Sequence, residues 1–502
     1  MIDCSSRNAF ETGPGERARA WALRLLTLAG LIASAYYFSW WGQGGRILSP
    51  ILAAALMIAA LYHWSQLFSS WLIYAAARRR KPVPEPAAGR RPSVDVFLTA
   101  CGEDPELVGR ALRAVVAMRG DHNSWLLDDG DDPCLARLAQ RVGARYLTRP
   151  GTRDAKAGNI NAALPRTDAD IIAIFDVDHV PEPEFLERSL GYFADPNVGF
   201  VQVMLTFRNA KKSWFARAAA ESCFDFFNPT SMGMDRLGSA TLIGSNALIR
   251  RRALASIGGY RAGLAEDLAT SIALHAEGWK STYVAEPLAP GLAPADVAAW
   301  FTQQLKWARG VFEVLLADYP RLFHRLTWGQ RVSYAVRMTY YWAGFVAAIH
   351  MVFTAGILIG GERVAVVDLQ QYLWHLLPLT VVAFGIRIVA LCCWRHRSVP
   401  NAFQWRAIVL VQSTWPVYTL AWFMSILRIP LGFNATPKRV SHDRRWNWLV
   451  PQICSSLILF GAVIVGMSYP DTAHPGFLMT FASLQMLPQL FLLWQTARPV
   501  HD

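Results

Sequence analysis

Asp176 and Asp178 stand one residue apart just after the apolar run IIAIF (171–175), with His179 directly behind them. Two carboxylates beyond a rigid strand make an open, hard-oxygen site of the kind that holds Mg2+ or Mn2+ together with substrate phosphates. His179 offers a nitrogen ligand, which suits Mn2+ better. Aspartates also end strands simply by capping turns, and DVD alone does not separate the two readings. A second acidic pair, Asp128 and Asp129 of SWLLDDG (124–130), closes another apolar run, and Lys156 follows in AKAGNINAAL. Two acidic strand ends with a cation nearby favour a site for a metal-bound diphosphate.

Further along, Glu266 and Asp267 open the helical stretch DLATSIALHAEG. Capping that helix is the plain role for a carboxylate there. The chemical role is a general base at Asp267. A metal-bound diphosphate is already a good leaving group, so sugar transfer needs one carboxylate to take the acceptor proton and no acid. Direct displacement with a single base inverts the anomeric centre, by analogy with one-step hydrolases. In PADVAAWFTQQLKWARGVFEVLL (294–316), Trp300, Gln303, Trp307 and Gly310 recur on one helical face. Tryptophan on such a face serves either a membrane interface or a stacking platform for a pyranose ring.

Short β-rich runs at 94–100, 124–130, 144–148, 170–178, 198–205 and 241–249 alternate with helical stretches such as PELVGRALRAVVAM and PCLARLAQRVG. That alternation predicts an α/β domain with a mostly parallel sheet and helices on both faces. Ligands of such sheets bind beyond the carboxyl ends of the strands, so Asp128-Asp129 and Asp176-Asp178 are expected to approach one another.

The rest of the chain belongs in a bilayer. It is 53% hydrophobic and 17% charged over 502 residues, against about 25% charged in soluble proteins. Apolar runs long enough to cross (about 20 residues) lie at 25–45, 47–77, 333–360, 372–393, 405–427, 446–468 and 476–494. The basic segment RRRKPVPEPAAGRR (78–91) places the α/β block in the cytoplasm, as lysine and arginine concentrate on that side. The run at 405–427 has arginines at both ends and Trp415-Pro416 in its middle, so it is read as lying in the interface, with a seventh crossing as the alternative. Six crossings then remain and both termini are cytoplasmic. The domains are a two-helix region at 1–77, the cytosolic domain at 78–330 and a membrane region at 331–502. The net charge of +12 is accounted for by the cytoplasmic membrane face, and no nucleic acid is needed. Seven cysteines without a CxxC pair read as reduced, packed thiols.

DDG (128–130), KAGN (156–159), DVDH (176–179), AED (265–267), QQLKW (303–307) and FNATPK (433–438) occur in this order. The set resembles the membrane-embedded processive family 2 glycosyltransferases, most closely the catalytic subunits of bacterial cellulose synthases. The resemblance covers about 90 to 445 and implies a GT-A-like, Rossmann-like mixed sheet between membrane helices. It implies that Asp128, Asp129 and Lys156 sit at the nucleotide and diphosphate, and that Asp176, Asp178 and His179 hold Mg2+ or Mn2+. Asp267 takes the place of the base. Gln303 and Lys306 hold the diphosphate, Trp307 the acceptor end, and Gly244 and Ser245 lie near the acceptor sugar. Phe433, Thr436 and Lys438 match a gating loop (431–445) over the bound nucleotide.

The function implied is a processive inverting synthase of a β-linked polysaccharide in the bacterial inner membrane. Its donor is a UDP-sugar, first UDP-glucose giving a β-1,4-glucan, and its acceptor is the growing polymer. A periplasmic partner subunit is implied as well. Curdlan, hyaluronan-like or mannuronan polymers, transfer of one sugar to a lipid, and a non-catalytic membrane scaffold are the alternatives. Tyr340, Tyr341 and Trp342 are candidates to line a pore, or to face lipid. Four departures stand out: AED for TED, Lys306 where the family has arginine, with loss of its bidentate fork, TACGEDP without the usual aromatic residue, and Ala435 where valine is expected. With Asp502 the last residue, the C-terminal cyclic-di-GMP-binding barrel of cellulose synthases is not expected here.

Overall fold

The computed structural model describes residues 14–84, 91–361, 365, 367–393, 404–431, 446–468 and 475–498. Seven strands form one mixed sheet: β1 (Val94–Ala100), β2 (Asn123–Asp128), β3 (Arg145–Leu147), β4 (Ile171–Asp176), β5 (Val198–Val203), β6 (Ala247–Arg250) and β7 (Lys280–Val284). Their order is β3-β2-β1-β4-β6-β5-β7, and β6 alone runs antiparallel to both of its neighbours. Every residue of β1 is buried, as expected of a central strand covered on both faces. One face packs against the helices Pro105–Val116 and Pro133–Val142, and the other against Ala155–Ala163, Arg251–Ser256 and Glu266–Ala276. Local sequence explains the first two. Asp104 and Asp132 cap them by accepting the N–H of Glu106 and Cys134, a proline follows each cap, and Gly143 at φ +81° ends the second.

The sheet departs from expectation at two places. Residues 241–246 are not strand, because Gly244 and Asn246 take positive φ and turn the chain before β6 begins. The edge strand β7 has no counterpart among the expected runs.

Among the described residues, six helices are long and apolar enough to cross a membrane: Ala18–Trp41, Pro50–Ala76, Trp342–Gly360, Leu369–Cys392, Trp446–Met467 and Gly476–Ala497. The run expected at 333–360 is two helices, Trp328–Thr339 and Trp342–Gly360, parted at Tyr340 and Tyr341. The run at 405–427 is a helix pair, Trp405–Ser413 and Trp415–Ile426, bent by 43°. The break falls at Thr414, next to the Trp415-Pro416 pair, where proline starts the second helix.

Helix Val297–Glu313 is capped by Asp296 and joins the sheet domain to this bent pair. Trp300 donates its indole N–H to Thr414 Oγ1 at 2.9 Å, and the Tyr418 hydroxyl donates to Gln304 Oε1 at 2.8 Å.

Candidate active site

The register of the sheet builds the site. Thr99 of β1 pairs with Asp176 of β4, and its neighbour Ala100 pairs with Asp128 of β2. The two acidic strand ends are therefore level, on either side of β1. Asp176, Asp178 and His179 each offer a ligand atom within 4.8 Å of the others. His179 is 5% exposed, and neither ring nitrogen has a hydrogen-bond partner among the described residues. Its Nδ1 lies 3.5 Å from Asp178 Oδ1, and its ring is held against Gly291, where a Cβ would stand 2.5 Å from Nε2. A buried imidazole with both nitrogens unsatisfied, next to two carboxylates, fits a divalent cation with mixed oxygen and nitrogen ligands.

Each residue of KAGN has a physical reason. Lys156 Nζ bonds the Asp176 carboxylate and donates to the Gly244 carbonyl at 2.6 Å. Burial disfavours its charge, but Asp176, Glu266 and Asp267 outweigh that, so its pKa is raised. A Cβ on Gly158 would stand 2.1 Å from the Arg153 carbonyl oxygen. Asn159 ties the helix to β2 by donating to the Leu127 carbonyl at 3.1 Å.

The two aspartates of DDG part company. Asp128 is fully buried, and its oxygens accept from the backbone N–H of Gly130 and Asp132 and from the Tyr146 hydroxyl. It shapes the turn. Asp129 lines the cavity, with both oxygens held by Arg149.

Asp267 and Glu266 face the same cavity from the start of helix Glu266–Ala276. A Cβ on Gly244 would lie 3.8 Å from Asp267 Oδ2 and 3.9 Å from Glu266 Oε1, so the turn at φ +84° runs along this carboxylate pair. Burial and the neighbouring Asp267 charge push Glu266 up to about 7. Burial also raises Asp267, against the opposing charge of Arg337. Ser245 is buried behind the wall, where its Oγ accepts the Asp176 N–H at 3.0 Å. Gln303, Lys306 and Trp307 line the cavity from helix Val297–Glu313. Phe433, Thr436 and Lys438 lie outside the described residues.

These groups share one cavity of about 710 Å3. It continues past Asp267 to Tyr340, Tyr341 and Tyr418, and reaches Gln66 and Tyr74 of the membrane helix Pro50–Ala76. Trp342 does not line it and packs edge-on against Trp422 at 5.3 Å.

Several residues of this region carry no local signal in the sequence. Arg149 and Arg337 are single cations outside any motif. Asp225 and Arg387 lie 162 positions apart, yet they form a 2.8 Å ion pair. The Tyr74 hydroxyl also donates to Asp225, at 2.7 Å.

Comparison with known proteins agrees with this architecture. Residues 171–388 match Glycosyl transferase family group 2. Cellulose synthase 1 of Komagataeibacter xylinus is 28% identical over 477 residues, covering 90% of this chain and 30% of that protein. The UDP-forming cellulose synthase catalytic subunit of Pseudomonas fluorescens is 28% identical over 475 residues, covering 89% of this chain and 62% of that protein. A UDP-forming catalytic subunit of Komagataeibacter xylinus is 33% identical over 334 residues, covering 64% and 43%. The chain thus spans between 30% and 62% of the length of these relatives. In fold it is similar to a mannosyltransferase from Pyrobaculum calidifontis solved with GDP-Man and Mn2+, with a TM-score of 0.53 and 14% identity, covering 76% of this chain and 100% of that one. The chain thus matches a family 2 glycosyltransferase model over residues 171–388, shares a GT-A-like fold with a glycosyltransferase, has candidate membrane helices on either side of its sheet, and is similar over most of its length to bacterial cellulose synthases.

Proposed function

We propose that the protein is a processive inverting glycosyltransferase that polymerises a β-linked polysaccharide from a UDP-sugar and passes it across the inner membrane. UDP-glucose and a β-1,4-glucan are the first expectation, as the UDP-forming cellulose synthase relatives suggest. One observation carries the reading. The cavity that holds the acidic cluster and Asp267 is continuous with a space lined by Tyr340, Tyr341 and Tyr418 beside the membrane helix Pro50–Ala76, so the end of a polymer can occupy both at once.

Asp176, Asp178 and His179 would hold Mg2+ or Mn2+, which supplies charge neutralisation to the departing diphosphate. Lys156, Gln303 and Lys306 would hold that diphosphate, and Asp129 would face the nucleotide. The acceptor hydroxyl gives its proton to Asp267 as its oxygen forms a bond to the anomeric carbon. The bond from that carbon to the diphosphate oxygen breaks on the opposite side, and UDP leaves with the electron pair. One base and one displacement give inversion. In this reading the sheet domain and both termini are cytoplasmic, the bent pair 405–426 lies in the interface, and Phe433, Thr436 and Lys438 cover the nucleotide. A periplasmic partner receives the polymer. That last element is abandoned if the purified chain alone secretes polymer into a sealed vesicle.

The test uses inverted membrane vesicles, magnesium or manganese, and a panel of radiolabelled UDP- and GDP-sugars, with linkage-specific glucanases applied to the product. Polymer from one donor, lost in Asp267→Asn, is the expected outcome. Folded wild type that neither polymerises nor hydrolyses any donor, with relatives' partner subunits supplied, sinks the proposal.

A further inference from the structure

Arg337 stands in the last turn of the helix Trp328–Thr339 and lines the cavity together with Asp267, Tyr340 and Tyr341. Its guanidinium carbon lies 4.8 Å over the ring of Phe226, another cavity residue. Nη1 is shielded from solvent and has no hydrogen-bond partner among the described residues. Asp267 is the leading opposite charge acting on Arg337, and Arg337 is the largest charge opposing the burial of Asp267.

Such an arrangement is costly. A shielded donor without a partner loses its bond to water and gains nothing in return. The cation–π contact with Phe226 holds the guanidinium at the cavity wall, which Phe226 also lines. The cavity in front of it is where the proposed acceptor must lie if its hydroxyl is to meet Asp267. Since Asp267 already opposes the charge of Arg337, the group offers hydrogen bonds to an uncharged pyranose and holds no surplus charge for a uronate.

We propose that Arg337 is an acceptor-recognition residue, whose guanidinium hydrogen-bonds the terminal sugar of the polymer and sets its hydroxyl against Asp267. This rests on the synthase reading above. On the donor side Arg337 does nothing: Lys156, Lys306 and the acidic cluster serve that end. Loss of Arg337 therefore misplaces the acceptor while the bound donor stays reactive toward water.

The full chain in vesicles, as wild type, Arg337→Gln and Arg337→Lys, provides the test. Three quantities are read: UDP affinity, sugar incorporated, and UDP released per sugar incorporated. In Arg337→Gln, UDP affinity stays within about twofold, incorporation falls about ten- to a hundredfold, and UDP released per sugar rises. Arg337→Lys lies between, because it keeps the charge and loses the fork. Should Arg337→Gln fail to bind UDP, Arg337→Lys decides alone by the same ratio. Wild-type incorporation in the variants overturns the proposal. So does a fall in incorporation and hydrolysis together at an unchanged ratio, the mark of a merely structural residue. Absence of both polymer and donor hydrolysis from wild type, with relatives' partner subunits supplied, would instead remove the synthase reading beneath it.

Discussion

Arg149 holds both carboxylate oxygens of Asp129, with Nε to Oδ1 at 2.7 Å and Nη2 to Oδ2 at 2.8 Å. The same guanidinium donates to the carbonyl of Arg153 at 2.7 Å and of Ala155 at 2.9 Å. One side chain therefore joins the acidic end of β2 to the turn that launches the helix bearing Lys156. Arg149→Ala frees Asp129 and loosens that turn together. The Michaelis constant for the UDP-sugar is expected to rise about tenfold, in line with loss of charge-assisted hydrogen bonds. An unchanged constant, measured by initial rates of UDP release, would leave the clamp without a part in donor binding.

Asp178 and His179 are buried and Asp176 is shared with Lys156, so the surrounding fold holds the acidic cluster in place. Chelation with EDTA is expected to stop UDP-sugar turnover, and added Mn2+ or Mg2+ to restore it. Asp178→Asn should raise the metal concentration for half-maximal activity by about a hundredfold. His179→Ala should lower the advantage of Mn2+ over Mg2+, since it removes the nitrogen ligand. Metal titrations of activity check both. A metal requirement unmoved in Asp178→Asn would place the cation elsewhere.

The parts of this site that could be read in the sequence are those whose meaning is local. DVD after an apolar strand, a glycine two places after Lys156, and a carboxylate pair opening a helix each have a chemistry set within a few residues. The break in the bent helix pair was also legible, because Pro416 and the flanking arginines act over short range. Contacts that join distant segments left no such trace. Arg149, Arg337 and the Asp225–Arg387 pair gain their roles only when the fold brings them together. Asp128 read like Asp129, yet one turns inward to Tyr146 and the other faces the cavity. Residues 241–246 looked like strand from their apolar pattern, since positive φ at Asn246 has no compositional mark beyond asparagine's tolerance of it.

Glu266 and Asp267 share one shielded corner, faced also by Lys156, Arg337, Asp176, Tyr260 and Tyr341. Burial raises both carboxyls, and the Asp267 charge raises Glu266 further, so the acid limb of activity belongs to the coupled pair. Asp267 works as a base only when ionised. Activity is therefore lost as pH falls through a value above the usual carboxylate range of about 4. Glu266→Gln removes one negative charge and should move that limb to lower pH. The stability effect has its own sign. With Glu266 raised to about 7 in the folded protein, its favourable contribution is full below the unfolded carboxyl value and is lost as pH rises toward 7. Glu266→Gln should flatten stability across that window. Profiles of turnover and of thermal unfolding against pH decide both, and an acid limb moved upward in Glu266→Gln would refute the coupling.

Gly310 shows why the helix carrying Gln303, Lys306 and Trp307 cannot be read apart from Asp267. A Cβ at this position would lie 2.6 Å from the Ala265 nitrogen and 2.8 Å from the Leu264 carbonyl carbon, both backbone atoms two or three residues before Asp267. Backbone cannot swing aside as a side chain can. Gly310→Ala must therefore push the helix and the Asp267 turn apart, and overpacking of this kind costs about 1–3 kcal/mol. The catalytic effect should be larger than the stability effect suggests, because a shift of about 1 Å between reacting groups can lower a rate about a hundredfold. Gly356 supplies the comparison, since a Cβ there meets nothing within 4 Å. Gly356→Ala should keep wild-type polymer synthesis, while Gly310→Ala loses most of it and still binds UDP. Equal activity in the two variants would mean that the spacing between these elements does not set the position of the base.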